Sequence, residues 1–373
     1  ERPPGFPNLP GNRAAPAHTK LCMMDDQRSF DPKPLQRMRL GGIKFSERQT
    51  RVSLSLNSGD VDFSPILEAL ARSRINITQL FLEAPVAGWS DFCLDEHDYI
   101  ASKYLLDQTF EQFDLPPVAS TSVGRLTLFP HGSDPKVVFG ALKSIAASNL
   151  PLYGAYSSLS AMSITTEYQS MDRMAESLLK VFELPAGHSP FIYQPSELDV
   201  RLAGGQGRKV ETIAKYWEPI IKIYGSNLKT GLQALSITFA VDQLLPVVSI
   251  LSGAKGLENF KMMGLSSPET GVYHLLLLFM PSGGELLVAN MNIKMSELTE
   301  VKVSEQSALE VLYFHGPHFQ DRYGVASAVV GALKKASVEF LCLNCSGTSI
   351  YLVMQKNIGS QAQKALEKVL VVP

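Results

Sequence analysis

Cysteine is scarce in this sequence: four residues in 373 make no disulfide framework for a chain of this size. An excess of either charge is also missing. Lys and Arg number 34 against 36 Asp and Glu, a formal charge of −2, which excludes a strongly basic nucleic-acid binder and a polyacidic tail. Long apolar runs are absent too. The longest, around His274–Met280, falls far short of the roughly 20 residues that span a bilayer. No basic start leads into an apolar core and a small-residue cleavage site. These absences predict a cytoplasmic protein with no membrane or nucleic-acid partner. Catalytic signatures are lacking as well: there is no G-x-S-x-G, H-E-x-x-H or dinucleotide fingerprint. Gly204-Gly205-Gln206-Gly207-Arg208-Lys209 lacks phosphate-loop spacing and follows no convincing strand, so it reads as a linker. The expectation is a protein that is not an enzyme, with no cofactor and no metal.

What is present is apolar material. Hydrophobic residues make up 45% and charged residues 19%, enough to bury several cores, and the length predicts two to four domains. Residues 1–35, rich in Pro, Asn, Asp and Arg, show no period and read as a tail or linker. The chain opens on Glu1 rather than Met, as a trimmed protein or a piece of a longer one does.

Internal repetition organises the rest. Four segments share one order: an alternating strand, a polar loop, an amphipathic helix, then two strands. They begin at Arg51-Val52-Ser53-Leu54, Arg125-Leu126-Thr127-Leu128, Leu235-Ser236-Ile237-Thr238 and Leu309-Glu310-Val311-Leu312. Their helices bury Ile66, Leu67 and Leu70; Val138, Ala141, Leu142 and Ile145; Leu244, Val247, Val248 and Leu251; and Val325, Val329 and Leu333, all at helical spacing. Second helices place Met171, Met174 and Leu178, or Ala362, Ala365 and Leu366, on one face. First strands start at 51, 125, 235 and 309, so gaps of 74, 110 and 74 residues describe a duplicated pair. Gly140-Ala141-Leu142-Lys143 answers Gly331-Ala332-Leu333-Lys334, in keeping with duplication. The predicted class is α+β, with four ferredoxin-like βαββαβ units in two tandem pairs. The units span 36–120, 121–195, 221–304 and 305–373, with a linker and lead-in at 196–220.

These units resemble ACT domains, and most nearly the tandem regulatory half of aspartokinases. Gly41-Gly42-Ile43-Lys44-Phe45 through Val52 carries the resemblance at the start, and Tyr323-Gly324-Val325-Ala326 through Val353 at the end. The family's kinase signature, Lys-Phe-Gly-Gly-Thr-Ser, is absent from this sequence, and so is its Pro-Gly at the first helix. The resemblance implies two regulatory halves in tandem, paired through side-by-side sheets, with an amino acid between paired units. It also implies lysine or threonine as ligand, and a pairing of the first unit with the third.

Loops between first strand and first helix are the expected ligand sites, because a helix N-terminus offers N–H groups to a carboxylate. In the first unit Ser58 and Gly59 would contribute backbone, and Asp60 and Asp62 would hold an α-amino group; alternatively, Asp62 or Ser64 only caps the helix. In the fourth unit Gly316, His318, Asp321 and Arg322 lie in the densest polar cluster of the chain, which also holds His315 and Tyr323. That cluster reads as a solvated binding loop rather than a metal site. Cys342 and Cys345 have redox spacing, but in a strand they point to opposite faces and read as buried structural residues. The functional expectation is an amino-acid sensor that changes its association with itself, as a homodimer, or with a metabolic enzyme. Its alternatives are the regulatory portion of a larger or degenerate enzyme, and a dimerisation scaffold without ligand.

Overall fold

The computed structural model describes residues 37–372 apart from 56–61, 84–88, 114–118, 131–133, 159–160, 187–219, 255, 258–259, 268–270, 282–290, 317–318, 320–321 and 347–348. Its elements run β1 (Met38–Arg39), β2 (Gly42–Phe45), β3 (Gln49–Ser55), α1 (Ser64–Arg72), β4 (Ile77–Glu83), β5 (Trp89–Asp95), α2 (Glu96–Gln112), β6 (Ala119–Phe129), α3 (Pro135–Ala147), β7 (Gly154–Ser157), β8 (Met162–Glu167), α4 (Met171–Leu179) and β9 (Phe182–Glu183). The chain continues with β10 (Ile221–Lys222), β11 (Gly225–Ala240), α5 (Leu244–Ser252), β12 (Phe260–Ser266), β13 (Val272–Phe279), β14 (Lys302–His315), α6 (Val325–Lys335), β15 (Cys342–Ser346), β16 (Ser349–Gln355), α7 (Gly359–Leu366) and β17 (Leu370–Val371). Local chemistry explains several starts. Asp134 caps α3 by accepting from the Lys136 N–H, and Pro135 occupies its first turn, where a missing N–H costs nothing. The sequence pattern does not reveal α2, because that helix buries Asp98, Ser102 and Thr109 beside Leu106 and Phe110 instead of an apolar stripe.

Thirteen strands join in one sheet, in the order β2-β6-β3-β5-β4-β15-β16-β14-β11-β13-β12-β7-β8. Because β8 also pairs with β6, twelve of them close into a barrel-like ring. Three long strands make the closure. The first part of β6 pairs with β3 and its second part with β8, while β11 and β14 run alongside each other and serve both halves in the same way. The expected boundaries at 120/121 and 304/305 therefore fall inside β6 and β14, so neighbouring segments share a strand. Short parallel pairs β1–β9 and β10–β17 repeat the pattern at corresponding places.

Alternation along the strands separates three cores. Val52, Leu54, Leu80, Phe92 and Leu94 pack with α1, α2, α6 and α7 on one outer face. Leu126, Leu128, Ile164, Leu275 and Leu277 pack with α3, α4, α5 and the helical residues 291–296 on the other. Between the two halves of the ring lies a third core of Phe81, Tyr156, Leu232, Met262, Leu278, Tyr351 and Val353. Phe81 and Tyr156 meet there with centroids 5.1 Å apart, and a Cβ on Gly264 would lie 2.5 Å from the Phe81 ring, so only glycine lets the halves approach this closely.

Polar residues that alternate with this apolar set are buried as well. Arg51 bridges Asp91 at 2.9 Å and donates to the Ser267 carbonyl across the layer at 3.0 Å, while the Tyr156 hydroxyl donates to Asp91 at 2.6 Å. Glu83 meets His274 Nε2 at 2.9 Å, with Thr238 on Nδ1 at 3.2 Å, and Arg125 donates to the Thr78 carbonyl at 2.7 Å.

One point of the sequence reading changes. The first segment does not pair with the third: β4 pairs with β15 of the fourth, and β7 of the second pairs with β12 of the third. The shared strands put β4 and β12 on opposite halves of the ring, where they cannot meet. Asp91→Ala should cost about 3–5 kcal/mol in urea unfolding, because it strands the buried Arg51 charge. The double variant Arg51→Met/Asp91→Leu should recover most of that loss.

Candidate functional site

A small groove, partly open to solvent, lies along the seam where β4 pairs with β15, between α1 and the start of α6. Its apolar wall comes from Leu67, Leu70, Ile75, Ile77, Leu80, Phe319 and Val325; its polar groups come from Asn76, Thr78, Arg322, Ser327 and Ser346. Two backbone features shape it. Arg74 adopts φ 58° as the chain turns from α1 into β4, and Gly324 adopts φ 81° just before α6. A Cβ at Gly324 would sit 3.7 Å from Ala71, in ordinary contact, so glycine is required there by the left-handed conformation rather than by space. Thr78 links the groove to the inner layer: its carbonyl accepts from buried Arg125, and its hydroxyl donates to the Cys93 carbonyl at 3.2 Å. Burial lowers the Arg125 pKa.

Of the expected site residues, Arg322 lines this groove and is buried. Gly316 is buried outside the lining; a Cβ there would come within 2.7 Å of Phe319 and 3.0 Å of the Lys222 carbonyl, which makes it a packing glycine. Asp62 is exposed and spends both oxygens locally, one accepting from the Ser64 N–H at 3.0 Å and the other paired with Lys334 of α6 at 2.5 Å. That geometry matches a helix-start role and also ties α1 to α6. Burial opposes ionisation of Asp62, but bonds from Lys334 and Ser64 outweigh it and hold the carboxyl below its ordinary pKa. Ser58, Gly59, Asp60, His318 and Asp321 lie outside the described residues. Sequence reasoning missed Asn76, Thr78, Ser327 and Ser346. Only the β4–β15 pairing brings them together, and no local pattern marks it.

The corresponding seam between β7 and β12 is built differently. Phe139 of α3 packs on Phe260 of β12, ring centroids 6.4 Å apart, inside the second outer core. Elsewhere, His315 contacts Ser349 at 3.5 Å and stacks near Tyr224. No group of three or more His, Cys, Asp or Glu among the described residues could hold a metal ion. No helix among them is long and apolar enough to cross a membrane. Cys342 faces the inner core and Cys345 packs against the α1/α6 side, as their spacing in one strand dictates.

No family model matches the chain, and no curated protein does. Among solved structures, the chain is similar to aspartate kinase from Synechocystis at TM-score 0.70 and 11% identity, over 88% of this chain and 55% of that one. The chain thus spans little more than half the length of that enzyme. The regulatory subunit of aspartate kinase from Thermus thermophilus matches at 12% identity over 39% of this chain and 99% of its own, but its TM-score of 0.34 carries no argument. At these identities the likeness establishes the fold, a mixed α/β arrangement of the aspartokinase type. It overturns the expectation that the protein is not an enzyme, because the structure that shares most of this fold belongs to one.

Lys334→Ala should raise the Asp62 pKa toward its ordinary value, measured by NMR titration of the carboxyl carbon. A carboxyl held low contributes stability above its unfolded pKa and loses it as pH falls through the folded value, so acid sensitivity in the variant should begin at higher pH. Burial pushes the Cys93 thiol up to about 12 and that of Cys342 well above its ordinary value. Both should therefore resist thiol reagents at pH 8 until the chain is unfolded, as read by mass spectrometry.

Proposed function

We propose that this chain is an aspartokinase-like regulatory module, built as four ferredoxin-like ACT-type units in two pairs, that binds a small amino acid in the α1/α6 groove. The units are those expected from sequence, 36–120, 121–195, 221–304 and 305–373, with the shared strands counted to both neighbours. One observation carries the reading: the groove lies at the seam between paired segments and combines an apolar wall with a buried guanidinium, Arg322. A guanidinium offers forked donors to a carboxylate, and Asn76, Thr78, Ser327 and Ser346 can meet an amino group or a polar side chain. Lysine and threonine are the first ligands to try, on resemblance alone.

Occupancy would act by favouring one packing of α1 against α6 over another, which requires different ligand affinity in the two arrangements. The aspartokinase-like enzyme to which the module belongs, in the same chain or as a partner, would read that change. The Phe139–Phe260 contact supports a different role for the other seam, which would serve assembly without ligand. The stoichiometry would then be one ligand per chain.

A thermal-shift screen against the twenty amino acids tests the proposal. A ligand at 100 times its Kd should add about 2.7 kcal/mol of stability. The shift should vanish in Arg322→Ala and return in part in Arg322→Lys, and calorimetry should give one site. No shift with any amino acid would overturn the binding role; two equivalent sites would overturn the assignment of the second seam.

A further inference from the structure

The groove between α1 and α6 brings together two unlike sets of groups. One belongs to the start of α6. Gly324 precedes that helix and has no side chain to cap it, so the first N–H groups of α6 need an acceptor from elsewhere. Val325, Ala326 and Ser327, which carry those groups, line the groove with buried Arg322. A Cβ on Gly324 would lie 3.7 Å from that of Ala71, so the end of α1 stands over this first turn. The other set is aliphatic. Leu67, Leu70, Ile75 and Leu80 are buried members of the outer core beneath α1 and α6, and half-buried Ile77 packs against them. β4 bulges at this wall: Ile77 pairs with Leu94 and Gln79 with Cys93, which leaves Thr78 as the extra residue. Thr78 spends its hydroxyl hydrogen on the Cys93 carbonyl at 3.2 Å and its carbonyl on Arg125 at 2.7 Å, so its side chain has no hydrogen left for a ligand.

We propose that this groove selects amino acids with a short, branched, apolar side chain, valine above all, over threonine and lysine; the inference rests on the amino-acid reading given above. The ligand carboxylate lies at Arg322 and the first turn of α6, where a guanidinium fork and a helix N-terminus both favour negative charge. Its side chain then meets Leu67, Leu70, Ile75 and Ile77. Against that wall a lysine ammonium would exchange water for aliphatic carbon, a costly transfer for a charge. Threonine has the shape of valine with a hydroxyl in place of one methyl, and that hydroxyl would lose its water in the same way. The groove is small, which favours a short side chain over an aromatic one.

The test is calorimetry of the full chain with valine, threonine, lysine and valinamide. Valine should bind about ten-fold to a hundred-fold more tightly than threonine, the range expected when an apolar pocket meets an added hydroxyl. Lysine should give no binding heat at concentrations that saturate the chain with valine. Valinamide, which lacks the carboxylate, should bind at least about ten-fold more weakly than valine. Ile77→Thr should narrow the valine-to-threonine ratio, and Arg322→Ala should abolish binding of both. Threonine or lysine binding as tightly as valine, and lost in Arg322→Ala, would overturn the selectivity while leaving the amino-acid site in place. Valine binding that survives Arg322→Ala unchanged would overturn the placement of its carboxylate. No binding of valine would overturn the selectivity, and no binding of any amino acid would remove the site as well; neither of these readouts depends on a variant folding.

Discussion

A strand edge with unpaired N–H and C=O groups is stabilised by a neighbour, and among the described residues the twelve strands of the ring find theirs within the same chain, while Gly225–Leu232 of β11 and Lys302–Gln306 of β14 pair on one side only. The seams β4–β15 and β7–β12 join segments far apart in sequence, while β6, β11 and β14 are long enough to pass from one half of the ring to the other. Which segments can pair follows from those shared strands. A strand that belongs to two neighbours fixes which half of the ring each occupies, so the first segment faces the fourth and the second faces the third. The α1/α6 groove exists because one of these seams brings two helices together above it, with Gly324 giving α6 its entry angle.

Closing the ring also traps a polar layer. Arg51, Asp91, Arg125, Glu83 and His274 would be surface residues on an open sheet; once the two halves face one another they must find partners inside. They do so mostly across the layer, through Tyr156 to Asp91, Arg51 to the Ser267 carbonyl and His274 to Glu83. Such groups restrict how the halves can slide, since a shifted register would leave a buried charge unpaired. Phe81 against Tyr156 and Gly264 supplies the apolar counterpart of that restriction. The Thr78 carbonyl, bonded to Arg125, gives the groove a direct mechanical link to this layer.

The two seams are built differently. Phe139 packs on Phe260 on the β7–β12 side, whereas the β4–β15 side carries a groove lined by Leu67, Leu70, Phe319 and Arg322.

The sequence by itself determined the local elements. Alternation in 51–55 and 235–240, and helical spacing of Ile66, Leu67 and Leu70 or of Val325, Val329 and Leu333, specify strands and amphipathic helices because those periods allow only one apolar face each. Repetition at 51, 125, 235 and 309 made the duplication legible, and Arg322 was within reach as part of a dense polar loop. Tertiary structure alone decided the rest. Whether Arg51 or Gln79 meets water or an opposite sheet is not written in its neighbours, since a polar residue alternating with apolar ones looks the same in both settings. Nor could Asn76, Thr78 and Ser346 be recognised as one site, because they become neighbours only when distant strands pair, and that choice is made by the closure of the whole ring.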